Sequence, residues 1–322
     1  MPDLTVPTSV EARLRWDYDT IYPRIQRLMG EARLSQWDES RDIDWAIHDR
    51  EPLREQSAFV REAFDNSPLG RYGESLWRRF LQEQQSWMVS QFLHGEQSSL
   101  VVSARLIEVL PDVGAKRYAA SQAAEEARHV AVFARYADEW LPNQYAVSPS
   151  FECLLEQILR SSQWDVLALG MQVMIEALAL AAFRLANSTF EDPLIRRITQ
   201  LVARDEARHV SFGVMLLDGL YTQMSASELR YREEFVLEAA ELLSRRYLLT
   251  EVWERLGVDA GIGTEFANTN EMMRSYRSTI FARVVHTLKQ IGLMTPRVQD
   301  GFERLGLLGS SNRPRTTFSH GR

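Results

Sequence analysis

A chain of 322 residues with 45% hydrophobic and 25% charged side chains can bury a substantial core, as one large domain or two small ones, and is not disordered over most of its length. Its net charge of −7 removes the electrostatic reason to expect nucleic acid or an anionic membrane as partner, which leaves small molecules and proteins. The single cysteine, Cys153, excludes an intrachain disulfide and a cluster of thiolate ligands, suits a reducing cytoplasm, and is expected to be a small buried hydrophobe.

Prolines divide the chain, because proline in a helix interior costs about 3 kcal/mol and is left to loops. The stretches 69–110, 112–141, 150–192 and 194–295 contain none and are rich in Leu, Ala, Glu, Arg and Gln. No run of alternating β-branched residues bounded by turns is evident, so the fold class is all-α.

At the N-terminus Glu11, Arg13 and Arg15 stand where an export signal would need an apolar run, so none is expected. Tyr18, Ile21, Ile25 and Leu28 share a helical face that Pro23 should split. An aromatic, acidic segment, 37–45, follows, and this whole first region is expected to pack on a larger body. A long helix over about 77–110 places Leu93, Glu96, Leu100, Ser103 and Ile107 at helical spacing, with one acid on an apolar stripe. The break at 110–114 leads into a second helix reaching about 141. The linker from Pro142 includes a short helix near 154–159. The third long helix, about 164–185, repeats the pattern of the first, with Glu176 alone among Leu169, Val173, Leu180 and Phe183. Gln172 and Glu176 interrupt its apolar run, so no membrane-spanning helix is expected. After the break at Asp192-Pro193 a fourth helix runs to about 221. Ser225-Ala226-Ser227-Glu228 is a capping box that starts a fifth helix, with Tyr231, Phe235, Leu242 and Tyr247 turned to a core, and a sixth covers about 271–291. The polar tail from 309 is expected to be disordered.

One pentapeptide occurs twice. Glu125-Glu126-Ala127-Arg128-His129 and Asp205-Glu206-Ala207-Arg208-His209 lie 80 residues apart. Each contains Glu-x-x-His, which on a helix sets a carboxylate and an imidazole one turn apart on the same face, as two ligands of one metal require. The same offset maps Glu96 onto Glu176, each 30 residues before its partner glutamate. Pro111 lies midway between Glu96 and Glu126, and the midpoint of Glu176 and Glu206 falls beside Pro193. Equal path lengths on either side of a helical turn return both residues to the same height. Four buried glutamates on apolar stripes also require compensating positive charge.

Two lone glutamates plus two Glu-x-x-His pairs make the chain resemble the ferritin-like di-metal carboxylate superfamily, in the oxidase and oxygenase branch with Asp/Glu-Glu-x-Arg-His pentapeptides. The resemblance implies a ferritin-like four-helix bundle over about 77–221, with additional N- and C-terminal helices in one domain, 1–308. It implies that Glu96, Glu126, His129, Glu176, Glu206 and His209 ligate two irons, a manganese–iron pair being the alternative, and that dioxygen is co-substrate. Glu125, Asp205, Arg128 and Arg208 take supporting positions around the ligands. A small organic substrate, an external electron donor (a ferredoxin or reductase), a homodimer and a cytoplasmic location are the matching expectations, with a radical-generating subunit or an iron store as alternatives.

Subfamily markers narrow this further. Phe133 stands where the radical subunit of ribonucleotide reductase has tyrosine, Val202 where arylamine N-oxygenases add a third histidine, and Leu180 where bacterial multicomponent monooxygenases have threonine. Ser98 and Met171 cannot form the valine–tyrosine crosslink of the ligand-binding oxidases. Ser99 and Ser103 leave room beside Glu96, and His94 is a candidate for lining the site, whereas His48, His286 and His320 have no matched partner.

Overall fold

The computed structural model describes residues 4–8, 10–16, 18–47, 58–190 and 192–309, and among them there are helices and no strands. The expected disorder of the tail and the readings of His48 and His320 lie outside the described residues. The helices are α1 (Pro23–Leu34), α2 (Glu39–Asp42), α3 (Ala58–Asp65), α4 (Gly73–Val109), α5 (Val113–Trp140), α6 (Pro149–Arg160), α7 (Trp164–Ala168), α8 (Glu176–Thr189), α9 (Pro193–Leu217), α10 (Ala226–Arg245), α11 (Thr250–Leu256), α12 (Ala260–Thr269), α13 (Glu271–Gln290) and α14 (Pro296–Arg304).

The bundle core is α4, α5, the continuous α7–α8 segment and α9. Its two hairpins close where proline and aspartate cooperate. Asp112 accepts from the Ala115 amide at 2.7 Å to cap α5, and its other oxygen takes the Ile21 amide at 2.9 Å. The same residue therefore starts a bundle helix and fastens the N-terminal segment to it. Asp192 caps α9 through the Leu194 amide at 2.9 Å and receives the Tyr136 hydroxyl at 2.6 Å, which ties one hairpin to the other.

Between α7 and α8 the helix widens into a π-helical stretch, Leu169–Ile175, which sequence periodicity does not reveal. Such widened turns are rare and concentrate at functional sites. Close approach holds this one: a Cβ on Gly213 of α9 would meet Gln172 Cβ at 2.4 Å, and one on Gly170 would meet Ile158 Cγ1 at 2.6 Å. The segment Trp164–Asn187 is long and apolar enough to cross a bilayer, but 89% of its most apolar window is buried inside the protein, as befits a central core helix.

Several expectations are corrected. Cys153 is exposed, because α6 turns Phe151, Leu154, Leu155 and Ile158 to the core and leaves Cys153 on its outer face. On α4 the buried stripe is Phe92, Glu96, Ser99, Ser103 and Leu106, while Leu93, Leu100 and Ile107 are only partly covered. Tyr231 on α10 is exposed although Phe235 and Tyr247 are buried. The face drawn through Tyr18, Ile21, Ile25 and Leu28 ends at Pro23: Ile25 and Leu28 are buried in α1, and Tyr18 and Ile21 are exposed ahead of it. The capping box at Ser225 and Glu228 forms as expected. Helices α11, α12 and α14 were not foreseen.

Candidate metal centre

Each bundle helix delivers acid or imidazole to one buried cluster. Glu96 comes from α4, Glu126 and His129 from α5, Glu176 from the first turn of α8 where the π segment ends, and Glu206 and His209 from α9. All six are at least 96% buried. Their ligand atoms fall into two sets, each within 4.8 Å: Glu96, Glu126, His129 and Glu206, and Glu126, Glu176, Glu206 and His209. Glu126 and Glu206 belong to both, so each set has a private glutamate, a private histidine and two shared carboxylates.

The imidazoles point the same atom inward. His129 Nδ1 lies 2.9 Å from Glu96, 3.2 Å from Glu126 and 3.4 Å from Glu206, and His209 Nδ1 lies 3.0 Å from Glu126 and 3.3 Å from Glu206. Each Nε2 points outward to a carboxylate, and the pairing crosses between the repeats. His129 Nε2 donates to Asp205 of the second pentapeptide at 3.1 Å, and His209 Nε2 donates to Glu125 of the first at 2.8 Å. A proton held on Nε2 leaves the Nδ1 lone pair free for a cation. Arg208 joins the two outer acids, 2.6 Å from Asp205 and 3.0 Å from Glu125, and Arg128 reaches Asp205 at 3.0 Å. The arginine of the motif therefore neutralises the acids that orient the histidines.

The charges inside the cluster are those of closely spaced, buried carboxylates and imidazoles. Burial, then the neighbouring Glu206, drives the pKa of Glu96 well above the ordinary value, and burial with Glu206 and Glu126 does the same to Glu176. Burial opposes charge on His129, yet the surrounding carboxylates of Asp205, Glu126, Glu206 and Glu96 prevail and raise its pKa well above that of imidazole. His209 behaves alike through Glu126 and Glu206. Both oxygens of Glu206 and Glu176 Oε2 are buried with no hydrogen-bond partner. Orphaned oxygen atoms beside imidazole nitrogens form a donor set suited to iron or manganese, so the residues present fit a pair of such ions.

Three supporting residues escaped the sequence reading. Trp37 donates its indole N–H to Asp205 at 2.7 Å, stacks on His129 with ring centroids 6.2 Å apart, and carries the Arg128 guanidinium 4.4 Å above its ring. Gln36 accepts from Arg128 and donates to Glu125, both at 2.8 Å. Gln122, one turn before Glu126, donates to Glu126 at 3.1 Å and to Glu176 at 2.8 Å. For Gln122 a signal existed, since it shares the inward face of α5. For Gln36 and Trp37 none did, because only the packing of α1 against α5 and α9 brings them near.

Ser99 lines a small cavity with Glu96, Glu176 and Glu206, its hydroxyl directed at Met171 Sδ 3.1 Å away. Ser103 is buried with an unpartnered hydroxyl and is not part of that lining. His94 turns aside to the Tyr145 carbonyl at 2.8 Å and does not line the site, and His286 is exposed. Phe133 packs against Phe92 and Phe183 at centroid distances of 5.8 and 5.7 Å, a hydrocarbon wall where the radical subunit has its tyrosine. Val202 is buried and apolar.

Compared with known proteins, the chain finds no match among curated sequences. The family described as p-aminobenzoate N-oxygenase AurF matches residues 22–292. That span takes in α1 with the supporting Gln36 and Trp37, the whole bundle and all of α13. The chain belongs to this family of ferritin-like di-iron oxygenases, which use dioxygen.

Proposed function

We propose that the protein oxidises a small organic substrate, with an amine nitrogen as the group that receives oxygen, at two irons held by Glu96, Glu126, His129, Glu176, Glu206 and His209. The observation that carries the reading is the sharing of Glu126 and Glu206 between two otherwise separate sets of ligand atoms. Glu96 and His129 would hold one ion and Glu176 and His209 the other, with the shared glutamates between them. When bound, the iron pair supplies the electrons and the binding positions by which dioxygen is activated. The chain's own groups do the rest. Asp205 and Glu125 keep the Nε2 protons in place, Arg208 and Arg128 balance those acids, and Gln122 orients Glu126 and Glu176. The phenylalanine wall excludes water from the cavity side.

An amine is the substrate group because the family is described by an N-oxygenase reaction. Val202 argues that this chain works with two histidine ligands rather than three. We extend the proposal to an external reductant of ferredoxin or reductase type, since dioxygen-driven oxygenation consumes electrons beyond those a substrate gives. A homodimer would cover Leu14, Trp16, Tyr18, Ile21 and Leu34, each of which is exposed in the N-terminal region. A cytoplasmic location suits the exposed thiol of Cys153.

Anaerobic iron loading followed by metal analysis and optical spectroscopy on admitting dioxygen tests this. Two irons per chain, a dioxygen-dependent optical change and conversion of an arylamine probe such as 4-aminobenzoate support it. Loss of iron in both Glu96→Ala and Glu176→Ala supports the ligand set. Unchanged metal content in both variants would sink that set, one inert structural metal would sink catalysis, and mineral growth alone would return the protein to iron storage.

A further inference from the structure

The small cavity beside Glu96, Glu176 and Glu206 is sealed on nearly every side. Phe92, Phe151, Leu178 and Phe183 are buried walls. Among the described residues that line the space all are buried except two, Gly95 of α4 and Ala179 of α8, which are half-buried. A cavity closed everywhere but at two residues meets solvent between them. The helices that carry them leave room for an opening, because α4 packs closely on α7 and the π-helical stretch but only sparsely on α8. Gly95 is itself out of place by local preference, since glycine in a helix interior is less stable than alanine. No packing demand explains it: a Cβ built there meets no atom within 4 Å. An unobstructed mouth supplies the reason that packing does not.

Size decides what passes. The free volume is about 30 Å³, enough for one or two water-sized molecules and too little for an aromatic ring. Dioxygen is of that size and apolar, so it leaves water readily for surroundings such as the phenylalanine walls. The position of the mouth also suits a diatomic bound for two ions. Gly95 directly precedes Glu96, and Ala179 lies about one turn beyond Glu176. Glu96 belongs to one set of ligand atoms and Glu176 to the other, so a molecule entering between Gly95 and Ala179 arrives at both sets.

We propose that the seam between Gly95 and Ala179 is the portal by which dioxygen reaches the metal pair, and that the small size of these two residues keeps it open. The portal rests on the iron pair of the oxygenase reading, but passage through it is measurable without turnover. Nitric oxide, a diatomic of similar size that binds ferrous iron reversibly, is the probe, mixed with the iron(II)-loaded protein in an anaerobic stopped-flow instrument. Gly95→Leu and Ala179→Leu should each slow association at least about tenfold. Dissociation should slow by the same factor, leaving Kd, iron content and melting temperature as in wild type, because an obstructed doorway alters rates and not the equilibrium at iron. Gly95→Ala, which adds one methyl group, should change association by less than about twofold and keep or raise the melting temperature. Unchanged association in both leucine variants overturns the portal. So does a weakened Kd at an unchanged association rate, which places the effect at the iron. Should Gly95→Leu fail to fold, Ala179→Leu decides by the same readings. A protein that takes up nitric oxide through this mouth and oxidises no amine refutes the proposed reaction alone, so the two ideas fail separately.

Discussion

Asp205→Asn probes the crossed support of the histidines. The wild-type carboxylate is fully buried and accepts from His129 Nε2 at 3.1 Å, Trp37 Nε1 at 2.7 Å, Arg128 at 3.0 Å and Arg208 at 2.6 Å. The amide keeps the shape and removes the charge. Arg208 retains Glu125, but Arg128 loses its one carboxylate within 4 Å among the described residues, so removing one buried charge from this network should cost about 3 kcal/mol of stability. Thermal melting reads that as a fall of several degrees. Removing the acid behind a ligating histidine costs about 10- to 100-fold in metal affinity, or about 1.4–2.7 kcal/mol. The loss should concern the ion beside Glu96 and His129, although Asp205 sits in the pentapeptide of His209. A double-mutant cycle separates these possibilities. Iron affinity of Asp205→Asn should be non-additive with His129→Ala and additive with His209→Ala, while Glu125→Gln should show the reverse pattern. Coupling of Asp205 to His209, or iron affinity unchanged in the single variant, would refute the crossed arrangement.

Iron binding should release protons, because Glu96, Glu176, His129 and His209 all hold theirs more tightly than usual in the metal-free protein. Each raised pKa favours the protonated form, which a cation must displace, so affinity should climb as pH rises. Calorimetry in buffers of different ionisation enthalpy measures this, and a pH-independent affinity contradicts it. Gly213→Ala should cost about 1–3 kcal/mol, since its Cβ would press on Gln172 within the π-helical turn that delivers Glu176, and the melting temperature should fall with iron content. Gln122→Leu should lower iron affinity with little loss of stability, because it removes the donor to Glu126 and Glu176 but fills the same buried space; a large drop in melting temperature would mean that Gln122 serves packing.

What the sequence disclosed follows from how local each feature is. Glu-x-x-His is a one-turn motif, and its repetition carried the offset that led to Glu96 and Glu176, which the structure indeed brings together with the other four. Breaks at Pro111 and Pro193 were readable because proline acts on the backbone next to it. The supporting residues were mostly hidden. Trp37 reaches Asp205 across 168 positions and Gln36 reaches Glu125 across 89, distances over which no periodicity in either segment carries information.

The same 80-residue offset also shows where the two halves of the site diverge. It maps Gln122 onto Val202, each one turn before a shared glutamate. Gln122 gives Glu126 a hydrogen-bond donor, whereas buried Val202 offers Glu206 nothing, and both Glu206 oxygens stand without one. A carboxylate held by a neighbouring amide is fixed in place, while one without such a donor is free to change how it meets a cation. The asymmetry extends along the chain, because Phe92 of the regular α4 corresponds to Gln172 of the π-helical turn. Glu206 and Glu96 also line the cavity, and Glu126 does not. Of the two shared glutamates, the one without an amide donor is therefore the one that lines the cavity, where it can yield to an incoming molecule without breaking a hydrogen bond.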